Sequence, residues 1–330
     1  MLSRRDVLAT AAAGAGLALA ASVPEPASAQ PARRIIVDAQ VHIWLANTPE
    51  RPWPPDGIGQ AHLPRPFSYY ELLARMDEAG VDRVVIVPPS WEGYHNEYAM
   101  EAAKKWPHRF AVMGRLRLDD PKSKDLLATW KDQPGMLGVR HTFNRLQSGW
   151  LTDGTADWFW PAAAKAGIPV MTPTAGRARD FLRIVERNPD LVFIIDHMNL
   201  SDETAKQGKI PEAIAEVVEF AKYPNVQVKM SSVPHKSSQP YPFRDMTGHL
   251  NRVFDAFGPR RCFWGTDLTA GIDRFPKFTY QQRITHFNRG VAVLVRAGQG
   301  LGDGPRCHEA ARLDVKAAVW TPGAGPAGRT

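Results

Sequence analysis

The sequence predicts a single (β/α)8 TIM barrel preceded by a signal peptide. Three observations carry the prediction. Eight short apolar, β-branched runs recur along the chain, at 35–44, 83–89, 110–116, 136–143, 168–174, 192–198, 226–232 and 262–268. Between most of them lies a stretch whose apolar residues fall at helical spacing. The chain has 330 residues, and with a leader removed that length suits one large barrel. Strands alternating with helices imply a parallel sheet with right-handed crossovers, and eight such units close on themselves. A doubly wound sheet needs a glycine-rich phosphate loop after its first strand, and none is present there.

Residues 1–29 form an address. Ser3-Arg4-Arg5-Asp6-Val7-Leu8 is a twin-arginine pattern, and an alanine-rich apolar stretch runs from 9 to 23. Ala27-Ser28-Ala29 is a small-x-small cleavage site before Gln30. The apolar stretch is too short and too weakly apolar for a membrane span. The expected location is the bacterial periplasm. The barrel then occupies 30–287. Residues 288–330 hold eight glycines and one aromatic, Trp320. They form an atypical tail where a final helix over the eighth strand is due.

Composition narrows the function. Hydrophobic residues are 44% and charged residues 23%, which fits a folded globular chain. The net charge of +7 is scattered, with no run of five Lys or Arg. That excludes a nucleic-acid partner and suits a small, anionic substrate. Cys262 and Cys307 form no CxxC pair, so a zinc knuckle or thioredoxin motif is excluded.

Each helical stretch has a readable face or stop. Residues 69–79 place Leu72, Leu73 and Met76 together and end at Gly80. Residues 157–166 end at Gly167, and 211–221 align Ile214, Val217, Val218 and Ala221. The loop 47–67 is long and proline-rich and contains Trp53 and His62. Its length implies a function over the barrel mouth.

In a barrel, chemistry projects from the C-terminal ends of the strands. Period-two alternation puts Asp38, Gln40 and His42 on one face of the first strand. Ser90 ends the second. Arg115 and Arg117 lie on the third, and Arg140-His141 end the fourth. Asp196-His197 end the sixth. The seventh carries Lys229, Ser231 and Ser232, and Trp264-Gly265-Thr266-Asp267 close the eighth. Asp196 points away from His197, as a structural acceptor. Trp44 and Trp91 sit where they can line a pocket.

The Asp-Ala-x-x-His-x-Trp start, the Asp196-His197 pair and Trp-Gly-Thr-Asp together resemble the amidohydrolase-related family over residues 35–287. That family includes lactonases of dicarboxylate and sugar lactones and decarboxylases of aromatic acids. The resemblance implies Asp267 as the base that activates water, with His42 and His197 beside it. Arg140 resembles an arginine that holds a substrate carboxylate, and Arg115, Ser90 and Gln40 complete the substrate-binding set. His42, His197 and Asp267 are the possible metal ligands. Two departures stand out. Gln40 occupies the first histidine of the family's His-x-His, and the fifth strand offers no histidine or carboxylate. The implied cofactor is therefore either none or one weakly held divalent ion, zinc or manganese. Three functions are compatible with these residues: hydrolase of a carboxylated lactone, metal-dependent decarboxylase, or non-catalytic periplasmic binding protein.

Overall fold

A computed structural model of the chain describes residues 35–143, 145–272 and 278–287. The signal peptide expected at 1–29 and the atypical tail expected from 288 lie outside the described residues. Eight strands run in order: β1 (Val37–Val41), β2 (Arg83–Ile86), β3 (Phe110–Gly114), β4 (Met136–Arg140), β5 (Val170–Pro173), β6 (Phe193–Asp196), β7 (Val226–Ser231) and β8 (Cys262–Gly265). They lie side by side in chain order, and each is parallel to the next. The single eight-stranded parallel barrel with surrounding helices agrees with the sequence. Among the described residues, no helix is long and apolar enough to cross a membrane.

Alternation divides the core into two layers. Val84, Ile86, Val112, Val170, Ile195, Val228 and Trp264 face outward, into the layer shared with the helices. Helix Tyr69–Ala79 contributes Leu72 and Met76 to it. Ser68 caps that helix by accepting from the Glu71 amide, and Gly80 ends it at φ 70°. Inside the barrel, Val85, Val87, Met113, Met171 and Ile194 form a separate apolar plug. Polar side chains fill the space above the plug.

The seam between β8 and β1 is closed by one buried carboxylate. Asp38 accepts hydrogen bonds from the Gln40 and Thr266 amides, the Thr266 hydroxyl and the Tyr280 hydroxyl. A Cβ on Gly265 would lie 3.0 Å from both Cβ and N of Gln40, so the two strands meet closely here. Residues 280–287 are helical and bury Tyr280, Ile284 and Phe287 against the barrel. Arg283 from the same helix donates to the Thr266 carbonyl. The eighth strand thus has its cover, a feature not expected from the sequence.

Candidate active site

A chain of polar contacts crosses the barrel above the apolar plug. The His42 Nδ1–H donates to the Val87 carbonyl at 2.6 Å, because a carbonyl can only accept. Its Nε2 therefore holds a lone pair in the neutral ring. The Gln40 amide nitrogen lies 3.2 Å from that lone pair and donates to it. Gln40 cannot turn the other way, because its oxygen accepts from the Lys229 ammonium. Lys229 in turn pairs with Asp196 at 2.6 Å, and Asp196 accepts from Arg140 at 3.1 Å. Arg140 and Arg115 both donate to the Thr142 hydroxyl. Burial alone would raise the Asp196 carboxyl, but Lys229 and Arg140 hold it down to about 2.

Three strand ends turn their side chains into one cleft through left-handed backbone. His197 has φ 52°, Ser232 φ 62° and Asp267 φ 54°. Non-glycine residues in this region store roughly 1–3 kcal/mol of strain each and persist only where neighbours hold them. The Asp267 amide donates to the Gln40 carbonyl at 2.9 Å. Met198 and Asn199 come after His197 at φ 55° and 64°. Asn199 is fixed by Thr174, Glu216 and the Ala213 carbonyl. His197, Ser232 and Asp267 line a cleft of about 230 Å³ together with His62, His235 and Lys236.

Asp267 and His42 meet at the edge of this cleft, with Oδ1 of Asp267 3.4 Å from Nε2 of His42. Oδ2 accepts from the Ser232 hydroxyl at 3.2 Å, and the same hydroxyl lies 3.0 Å from His235 Nδ1. Burial would raise the Asp267 carboxyl. When His42 carries a second proton, its hydrogen bond and charge, with His197 and His62, hold the carboxyl well below the usual range. His197 has Nδ1 2.8 Å from the Ser231 hydroxyl. Burial pushes its pKa down to about 4 against the pull of Asp196 and Asp267.

The sequence matches the amidohydrolase family over residues 37–320. The chain belongs to the amidohydrolase family. L-fucono-1,5-lactonase of Burkholderia ambifaria is 23% identical over 235 residues, spanning 70% of this chain and 79% of that protein. An amidohydrolase of Burkholderia multivorans solved with zinc bound has TM-score 0.64 at 18% identity, over 84% of this chain and 95% of its own. A probable 2-pyrone-4,6-dicarboxylic acid hydrolase of Acinetobacter baumannii, solved with citric acid, has TM-score 0.61 at 15% identity. It covers 78% of this chain and 92% of its own. These structures share the barrel.

In this amidohydrolase the residues singled out from sequence separate into two groups. His42, His197 and Asp267 converge on the cleft edge, and Gln40 lies directly behind His42. Arg140 lies deeper. It is buried and committed to Asp196, so its ion pair is internal to the barrel. Arg115 is buried beside it and makes no ion pair among the described residues. Burial and the charge of Arg140 bring its guanidinium down to about 9. Ser90 opens the turn Ser90–Glu92, and its carbonyl accepts from the Gly93 amide. His141 is fully buried between Tyr94, Phe143 and Trp150.

The donor set does not fit a divalent metal. Among the described residues, no group of three or more His, Cys, Asp or Glu side chains is arranged to hold one. His42, His197 and Asp267, the possible ligands, do not form such a group. Where a third ligand is needed beside His42 Nε2, Gln40 presents an N–H donor, with the Lys229 ammonium behind it.

Four cleft residues do not stand out in the sequence as site residues. His235 and Lys236 come just after Ser232 at the end of β7, and the strand-end rule reaches them only when it is carried four residues further. Ser232 is visible on its strand, but its sequence neighbours suggest no role for it. His62 comes from the lid loop, where only the fold shows that it reaches Thr269 at 3.0 Å and the His42 ring at 5.4 Å between centroids.

His197 sets an expectation for stability. Its folded pKa of about 4 lies below the 6.5 of an unperturbed ring, so the unfolded chain takes up a proton first. The stability from keeping the ring neutral is complete above pH 6.5 and drains away as pH falls towards 4. The loss is on the order of 2–3 kcal/mol. Thermal melts from pH 7.5 to 4 should show a steeper fall in Tm for wild type than for His197→Gln. Parallel curves would refute the assignment.

Proposed function

We propose that this amidohydrolase hydrolyses a small cyclic ester bearing a carboxylate, with Asp267, set beside His42, receiving the proton of the attacking water. The observation behind this reading is the pair of acceptors 3.4 Å apart, Asp267 Oδ1 and His42 Nε2. Nε2 already accepts from the Gln40 amide, whereas Oδ1 has no hydrogen-bond partner among the described residues and is open to a water. A water at the cleft edge donates to Oδ1. Its oxygen attacks the ester carbonyl carbon, and its proton passes to Oδ1. Collapse of the tetrahedral intermediate breaks the ring C–O bond, and the departing alkoxide takes the proton back.

His197 suits the oxyanion. With the Ser231 hydroxyl donating to Nδ1, the neutral ring keeps its proton on Nε2 and donates it to the developing charge. Lys236 is the cation on the cleft wall. Its ammonium rests on Asp202, whose carboxylate a substrate acid can replace. The lactonase activity of the Burkholderia ambifaria relative supports a lactone as the ester. The leader pattern supports action in the periplasm.

A panel of lactones with and without a carboxylate, assayed by acid release, tests this reading. Turnover of no lactone, or carbon dioxide release from aromatic acids instead, would overturn it. Lys236→Met should raise KM for a carboxylated lactone roughly 10–100-fold, the worth of one charged hydrogen bond, with kcat nearly unchanged. Neutral lactones should be indifferent to the change. An equal rise for both kinds would remove Lys236 from carboxylate recognition.

A further inference from the structure

The lid loop holds a second, larger cavity. It measures about 680 Å³, and its walls include Trp44, Leu45, Trp53, Ile58, His62 and Leu63. His62 also lines the 230 Å³ cleft with Asp267, so the two spaces share a wall. Ile58 is 58% exposed and Leu45 37% exposed. The fold thus leaves two large apolar side chains in water at this one cavity. The Trp53 indole N–H is buried and bonds to nothing among the described residues.

The lid is tied down around this space. Trp44 bridges to Phe67, with the Trp44 amide donating to the Phe67 carbonyl at 3.1 Å. Arg51 pairs with buried Glu92, which also accepts from the Leu45 amide. A Cβ on Gly57 would lie 2.1 Å from the Trp91 carbonyl oxygen, so the loop lies flat on the turn after β2. A pre-formed apolar cavity loses little order on binding.

We propose that the lid cavity is a subsite for an apolar arm carried by the substrate ring. An ester held at Asp267 reaches it past His62. The proposal rests on the lactone reading for the ring, but arm binding is measurable without turnover.

The test titrates Asp267→Asn protein by tryptophan fluorescence with γ-lactones from γ-valerolactone, with a one-carbon arm, to γ-decalactone, with six. Kd should fall roughly threefold to fourfold per added methylene. In Ile58→Asp the gradient should vanish while γ-valerolactone binds as before. Leu45→Asp provides a second, independently exposed position. A flat Kd across the series, or a gradient that survives both changes, would overturn the subsite. So would a wild-type dimer that either change dissociates, since a second copy would then cover the cavity. A gradient in binding with no lactone turned over by wild type would sink the hydrolase reading and leave the subsite standing.

Discussion

Asp267→Asn should lower kcat for lactone hydrolysis by roughly 10²–10⁴, the worth of a positioned base, while the barrel stays folded. Asparagine is the informative replacement for two reasons. It tolerates the left-handed backbone at φ 54° about as well as aspartate does. Its amide oxygen can still accept from Ser232 in place of Oδ2. What changes is the atom facing His42. An Nδ2–H there is a donor and cannot receive the proton of water. Melting curves and kcat are measured side by side. Near-normal turnover in a folded Asp267→Asn protein would place the base elsewhere.

The strand-end rule makes part of this site legible. His42, His197 and Asp267 lie where a local period of two and the end of an apolar run place them, and both signals need only a few adjacent residues. Arg140 shows the limit. The same rule turns it inward, but its partner lies 56 positions away on β6. Which carboxylate an inward arginine meets depends on strand order, tilt and stagger, and none of these is local. Gln40 shows the limit differently. Read alone, it is a missing metal ligand. In the barrel its amide has a fixed direction, because Lys229 from β7 can only donate and His42 can only accept. His62 is visible as a polar residue in a long loop, yet no local pattern tells how such a loop folds back over the mouth. The helical residues 280–287 are obscured by their C-terminal neighbours, since the glycine-rich composition after 287 masks a short amphipathic turn.

Lys229→Met tests whether the polar chain across the barrel works as one unit. The ammonium is fully buried and rests on Asp196, Gln40 and the Met171 sulfur at 2.9 Å. Removing one partner of a buried ion pair leaves an under-compensated charge, and the cost is about 3–5 kcal/mol. Asp196 would keep only Arg140. Activity should fall for a separate reason. Without Lys229 the Gln40 amide is free to turn, and its oxygen then faces the His42 lone pair, which disturbs the acceptor gap beside Asp267. The two effects separate in the double variant Lys229→Met/Asp196→Asn. Neutralising Asp196 should recover much of the lost stability, because the buried charge is gone. It should not recover kcat/KM, because Gln40 remains unanchored. Urea unfolding gives the first quantity and lactone turnover the second, with the coupling read from the full mutant cycle. Recovery of both together would mean that Lys229 acts on His42 only through the stability of the fold. A Lys229→Met protein as stable as wild type would mean that Asp196 and Arg140 suffice without it.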